Sequence, residues 1–264
     1  MIFSQKLFQL KSYFNYWLEA MDEHSLHSPF IYGFYRDVII KENTEAIFQG
    51  IENVRKDLLA DNREIKINDL GAGSSITKSV NRRISSIAKS ALTSSKDSRL
   101  YYRILDHIQA QNVLELGTSL GINTMYLASN SFVKYIYTIE GCQQTAALAK
   151  TNFSSYKTNK INLIDQPIEK ALDHVFNRIN SLDVILFDAN HTYEATLKYY
   201  KKCKPYMHEH SILIFDDIHW SRGMTLAWEE IKKEIEVTLT IDLYDLGLVF
   251  FKKNLEKENY VLSR

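Results

Sequence analysis

The sequence predicts an α/β fold: a parallel sheet that ends in an antiparallel hairpin strand, helices on both faces, and a mainly helical N-terminal extension. Three observations predict it. From about residue 99 onward, short apolar runs alternate regularly with helical patterns. Those runs are apolar at nearly every position, as in strands covered on both faces. Finally, VTLTIDLY (237–244) and LGLVFFK (246–252) lie too close together for a crossover helix, so they pair as an antiparallel hairpin.

The strands follow from the apolar runs at 112–116, 135–140, 161–165, 183–188 and 211–216. Helices are expected at 99–109, 121–130, 142–152, 167–180, 192–204 and 222–235. Before them, Phe3, Leu7, Leu10, Phe14, Trp17 and Met21 recur at steps of four and three, the apolar stripe of a helix. Such a stripe forms core or a dimer seam. A membrane-surface helix is disfavoured because the opposite face is not rich in bases. His27-Ser28-Pro29 interrupts the chain, with Ser28 as a cap and Pro29 as the first residue of a new helix. Residues 42–60 suggest a further helix. His24, His27, Phe30, Tyr32, Phe34 and Tyr35 form either a lid or ordinary packing of the extension. The organisation expected is an extension over 1–98, a Rossmann-like domain over 99–253 and a tail over 254–264.

Composition sets outer limits. The 264 residues carry 32 bases and 32 acids, so no global positive field attracts nucleic acid. Cys142 and Cys203 are too few for a disulfide framework and stand in no metal-ligand spacing. No apolar run reaches membrane-spanning length. The N-terminal stripe is broken by Lys6, Lys11 and Glu19, which does not suit a signal peptide, so a cytoplasmic protein is expected.

The stretch that carries chemistry is VLELGTSLG (113–121) followed by YIYTIE (135–140). A strand enters a glycine turn, a helix follows, and a second strand ends in an acid. This is a Rossmann-like nucleoside-binding unit, in which glycine admits a ligand to the backbone and the acid binds ribose hydroxyls. A second candidate turn, INDLGAGSS (67–75), competes with it. Context decides between them: Glu140 stands 23 residues after Gly117 at a strand end, whereas IAKSALTSSKD offers no strand at the matching place. The nicotinamide pattern G-x-G-x-x-G is incomplete in both turns, which suits a nucleoside without phosphates.

ELGTSLG resembles the first motif of class I S-adenosylmethionine-dependent methyltransferases, and Glu140 matches their ribose-binding acid. The closing hairpin is similar to the reversed last strand of that class, and the resemblance covers about 99–252. The resemblance implies S-adenosylmethionine as cofactor, held by Glu115, Gly117, Thr118, Ser119, Gly121, Glu140, Gly141 and Asp188. FDANHTYE (187–194) and IFDDIHW (214–220) look most like the O-methyltransferases that bind a divalent metal. In an open parallel sheet, ligands gather beyond the carboxyl ends of the strands, where Asp188, Asp216 and Asp217 all lie. Three carboxylates brought together repel unless a cation or protons compensate. Oxygen ligands favour Mg²⁺, Mn²⁺ or Ca²⁺. The resemblance therefore implies these three as metal ligands. The catechol-type enzymes carry asparagine where this chain has Asp217 and a lysine base where it has His191. A histidine, with an unperturbed pKa of about 6.5, suits neutral pH as the base. His219 is taken first and His191 second for that role.

The plain alternatives are specific. Asp188 caps the helix that opens at Thr192; His191 and His219 are surface residues; Trp220 is core; the acid pair is structural. At the level of function, the expectation is methyl transfer to a hydroxyl of a small molecule, without nucleic acid or a membrane span, in a homodimer joined by the N-terminal helices. Metal-independent transfer, a nicotinamide oxidoreductase and a non-catalytic nucleoside-binding module are the rivals.

Overall fold

A computed structural model describes residues 2–42, 45–67, 81–156, 158–253 and 256–264. The GAG turn at 71–73 lies outside the described residues. In chain order the elements are α1 (Ile2–Glu19), α2 (Pro29–Phe34), α3 (Gln49–Ala60), β1 (Glu64–Lys66), β2 (Asn81–Arg83), α4 (Ile84–Ala91) and α5 (Ser95–Ile108). The alternation follows as β3 (Asn112–Leu116), α6 (Ile122–Ala128), β4 (Tyr135–Ile139), α7 (Gln143–Tyr156), β5 (Ile161–Ile164) and α8 (Ile168–Phe176). It continues through β6 (Val184–Phe187), α9 (Tyr193–Cys203), β7 (Ile212–Asp216), α10 (Arg222–Lys233), β8 (Leu239–Asp242), β9 (Leu246–Phe250) and β10 (Glu258–Val261). Every strand and helix expected from the alternation is present, displaced by a few residues at its ends. α5 starts four residues early because Ser94 caps it, its hydroxyl accepting from the Asp97 N–H. α2 opens as expected, with Ser28 at the cap and Pro29 first. Among the described residues, no helix is long and apolar enough to cross a membrane.

The chain divides into two compact units: 42–180, and 1–41 together with 181–264. In the first, β3, β4 and β5 run parallel, with Val113 opposite Ile136 and Ile136 opposite Ile161. Phe48, just before α3, and Ile51 on it pack with Leu120, Met125 and Tyr126 in the core of this unit, and the Phe48 and Tyr126 rings lie 4.5 Å apart. Burial of such side chains is the main favourable contribution, roughly 1.5–3 kcal/mol each.

In the second unit β6 and β7 are parallel, β9 returns antiparallel beside β7, and β8 pairs antiparallel with β9. The predicted hairpin is therefore present, and five strands here with three in the first unit make a mostly parallel, Rossmann-like set. Phe187 and Phe215 stack at 4.3 Å between ring centres. Gly247 lets Trp228 lie against the sheet: a Cβ there would stand 2.6 Å from the indole.

Three expectations are corrected. The segment read as a tail contains β10, which pairs parallel with β8 and buries Leu262. An edge strand such as β8 exposes a row of unpaired backbone groups, and β10 covers them; its charged flanks concealed it in the sequence. The residue 98/99 boundary does not separate compact units, because the N-terminal helices divide between them. α1 and α2 pack with 181–264, through contacts such as Phe30 and Phe34 on Phe250, whereas α3 and α4 pack within 42–180. Finally, of the two roles expected for the α1 stripe, core or dimer seam, core is excluded: Leu7, Leu10, Phe14 and Trp17 are exposed.

Candidate active site

In the unit of residues 42–180, the turn after β3 is left-handed at three positions: Gly117 (φ 106°), Ser119 (φ 49°) and Gly121 (φ 82°). Glycine takes this backbone without strain, and a serine needs local support. Glu140, at the end of β4, supplies it. Its carboxylate accepts from the Ser119 N–H at 2.9 Å and from the Cys142 N–H at 2.9 Å. The Gly141 N–H also lowers its pKa, but burial prevails and pushes the carboxyl upward. Gly121 serves close packing as well: a Cβ there would stand 2.5 Å from the Phe153 ring of α7.

Glu115 has a different place from the one expected. It is fully buried beneath the turn, and its carboxylate accepts from Asn123 Nδ2 and from the hydroxyls of Thr124 and Thr138. Thr138 in turn shares a 2.6 Å hydrogen bond with Thr118. Glu115 and Thr118 therefore brace the turn from below. Burial pushes the Glu115 carboxyl up to about 7 despite the three donors. What stays partly exposed in this turn is Gly117 and Ser119, with the half-buried Glu140 beside them. Three backbone N–H groups, those of Ser119, Gly141 and Cys142, hold the Glu140 carboxylate in place beside the turn.

In the unit containing 181–264, the end of β6 delivers Asp188 and His191, and the end of β7 delivers Asp216 and Asp217. Asp188 is not the cap of α9. Thr192 caps it, accepting from the Ala195 N–H. Asp217 is held in the left-handed region (φ 58°) by its N–H donating to the Asp245 carbonyl at 2.6 Å. Both carboxylates approach the same imidazole: His191 Nε2 lies 3.7 Å from Asp188 Oδ1 and 4.0 Å from Asp217 Oδ2. His191 Nδ1 is buried and has no hydrogen-bond partner among the described residues. Burial lowers the His191 pKa, and the Asp217 charge and an Asp216 backbone hydrogen bond raise it in part.

His219 is arranged otherwise. Its Nε2 is 2.8 Å from Asp242 Oδ2, its Nδ1 is 3.4 Å from the Thr225 hydroxyl, and its ring stacks on Tyr244. It lines a cavity of about 540 Å³ beneath α1 together with Arg222 and Asp242. The structure thus separates the two histidines, one facing Asp188 and Asp217 and the other held by Asp242. Asp242 escaped notice in the sequence. The available signal was its place at the carboxyl end of VTLTIDLY, a strand parallel to β7.

Among the described residues, no three His, Cys, Asp or Glu side chains are grouped so as to hold a metal ion. Asp188, Asp216 and Asp217, expected as a ligand set, do not fit one in this arrangement. The group nearest two of these carboxylates is the His191 ring, at 3.7 Å from Asp188 and 4.0 Å from Asp217.

A family model described as "Methyltransferase domain" matches residues 114–218. Among solved structures, the chain is similar to the O-methyltransferase from Bacillus cereus in complex with SAH, at 16% identity and TM-score 0.56, covering 82% of this chain and 95% of that one. It is also similar to the O-methyltransferase TomG from Streptomyces achromogenes, in complex with SAM, at 14% identity and TM-score 0.55, covering 83% and 94%. No curated protein matches the sequence significantly.

Proposed function

We propose that this chain, whose residues 114–218 match a methyltransferase domain and whose fold is that of the class I S-adenosylmethionine-dependent enzymes, methylates a hydroxyl oxygen of a small molecule. The cofactor supplies an electrophilic methyl group on a sulfonium. The Gly117–Gly121 turn and Glu140 hold its nucleoside, with Glu140 taking the ribose hydroxyls. The observation that carries the oxygen chemistry is His191: a half-buried imidazole with a buried, unpartnered Nδ1, whose pKa desolvation lowers, beside two carboxylates. A hydroxyl is a poor nucleophile until it loses its proton. His191 accepts that proton as the oxygen attacks, and Asp188 and Asp217 stabilise the imidazolium that results. The remaining task is positioning, which contributes through near-attack geometry. Two structural neighbours being O-methyltransferases supports the choice of oxygen. A small-molecule acceptor and a second copy of the chain are the partners in this account.

No step requires a metal. The test is transfer of labelled methyl from S-adenosylmethionine to a panel of phenolic, sugar and other small hydroxyl compounds, with and without EDTA. The expected result is transfer that the chelator leaves unchanged. Loss of activity in EDTA, restored by Mg²⁺, would return Asp188, Asp216 and Asp217 to the role of metal ligands. Methylation of amines alone would overturn the oxygen assignment.

A further inference from the structure

The first helix is amphipathic in the reverse sense. Its polar side faces its own unit: Gln5 and Gln9 donate to the Trp220 carbonyl, Tyr16 donates to the Leu262 carbonyl at 2.6 Å, and the Tyr244 hydroxyl donates to the Gln9 carbonyl at 3.0 Å. Its outer side carries Leu7, Leu10, Tyr13, Phe14, Trp17 and Leu18, which are 53–70% exposed. Leu7, Leu10, Phe14 and Trp17 are spaced three, four and three residues apart, the a and d positions of a heptad. Tyr13 and Leu18 flank that seam. Gln9, Ser12 and Tyr16, which in a free coiled coil would face water, are here the residues turned toward the body.

We infer that α1 joins two copies of this chain through the outer seam, an inference independent of the methyl-transfer chemistry. The occupant follows from three features. The spacing is that of helix-on-helix packing. Six large side chains of about 200 Å² each, more than half exposed, offer roughly 700 Å² per protomer, close to the ~800 Å² of a standard interface and beyond an ordinary surface patch. The only charges on the helix are Lys6, Lys11 and Glu19, too few bases for an anionic lipid surface. A two-fold axis meets the self-complementary requirement, because the same face serves both partners. Pairing covers the seam while leaving intact the inward contacts that hold the loop after β7.

The test is sedimentation equilibrium of the full chain from 1 to 100 µM, beside the double variants Leu10→Glu/Trp17→Glu and Leu10→Ser/Trp17→Ser. The wild type should sediment at twice its 30.7 kDa, and both variants at 30.7 kDa, with unchanged circular dichroism. A wild-type monomer throughout that range overturns the inference. So does a dimer that both folded variants retain. Flotation of a monomeric wild type with phosphatidylglycerol vesicles would assign the face to a membrane instead.

Discussion

Replacing His191 with asparagine should lower kcat by about 10²–10⁴-fold while leaving S-adenosylhomocysteine affinity unchanged. The expectation rests on geometry. The amide keeps a polar side chain at that position, but it accepts no proton near neutral pH. Nδ1 has no hydrogen-bond partner among the described residues, and the amide can keep the ring's contact with the Asp216 backbone, so the fold should tolerate the change. The wild-type rate carries a signature of its own. Because burial lowers the His191 pKa, the base form persists below the ordinary histidine midpoint, and activity should fall only as pH drops through that lowered value. The acid limb should disappear from the residual activity of the His191→Asn variant. The change His219→Asn should act differently. His219 is bonded to Asp242 and stacked on Tyr244, so its loss should change acceptor KM more than the pH profile. A wild-type pH profile in His191→Asn with loss of the acid limb in His219→Asn would exchange the two assignments.

Glu115 should make the protein less stable as pH rises from 5 to 8. Its carboxyl is pushed up to about 7 in the fold, against an ordinary value of 4.5. The native state therefore binds this proton more tightly than the unfolded chain does. The stabilisation is fully present below the unfolded value and is lost as pH climbs through 7. The full span is about 3 kcal/mol. Glu115→Gln, which resembles the protonated acid in shape and donors, should flatten that dependence and match or exceed the wild type at pH 8. Urea denaturation at pH 5 and 8 measures both slopes. An unchanged slope in the Glu115→Gln variant would show that Glu115 is not the titrating group.

Elements set by local pattern were legible in the sequence, and groups set by tertiary partners were less so. The strands at 112–116 and 212–216 announce themselves as apolar runs, and Ser28-Pro29 as a helix start. The spacing from Gly117 to Glu140 led to a real contact, the Ser119 N–H on the Glu140 carboxylate. By contrast, nothing in ELGTSLG indicates whether Glu115 points toward a ligand or beneath the turn. That depends on Thr124 and Thr138, which reach it from α6 and β4. The two histidines looked equivalent because each follows a strand-end acid. They differ because Asp242, 23 residues beyond His219, claims one of them. β10 was hidden because its stability comes from the open edge of β8 rather than from its own composition. The stripe on α1 is plain in the sequence, and periodicity alone does not say which side of a helix meets the body.

The most direct test of the central claim is isothermal titration of the full chain with S-adenosylhomocysteine and with NAD⁺, repeated on Glu140→Ala. Saturable binding of the sulfur nucleoside is expected at one per chain, none of NAD⁺, and a clear loss of affinity in Glu140→Ala. Binding of NAD⁺ alone, or nucleoside affinity indifferent to Glu140, would contradict the assignment of the Gly117–Gly121 turn as the site of the methyl donor.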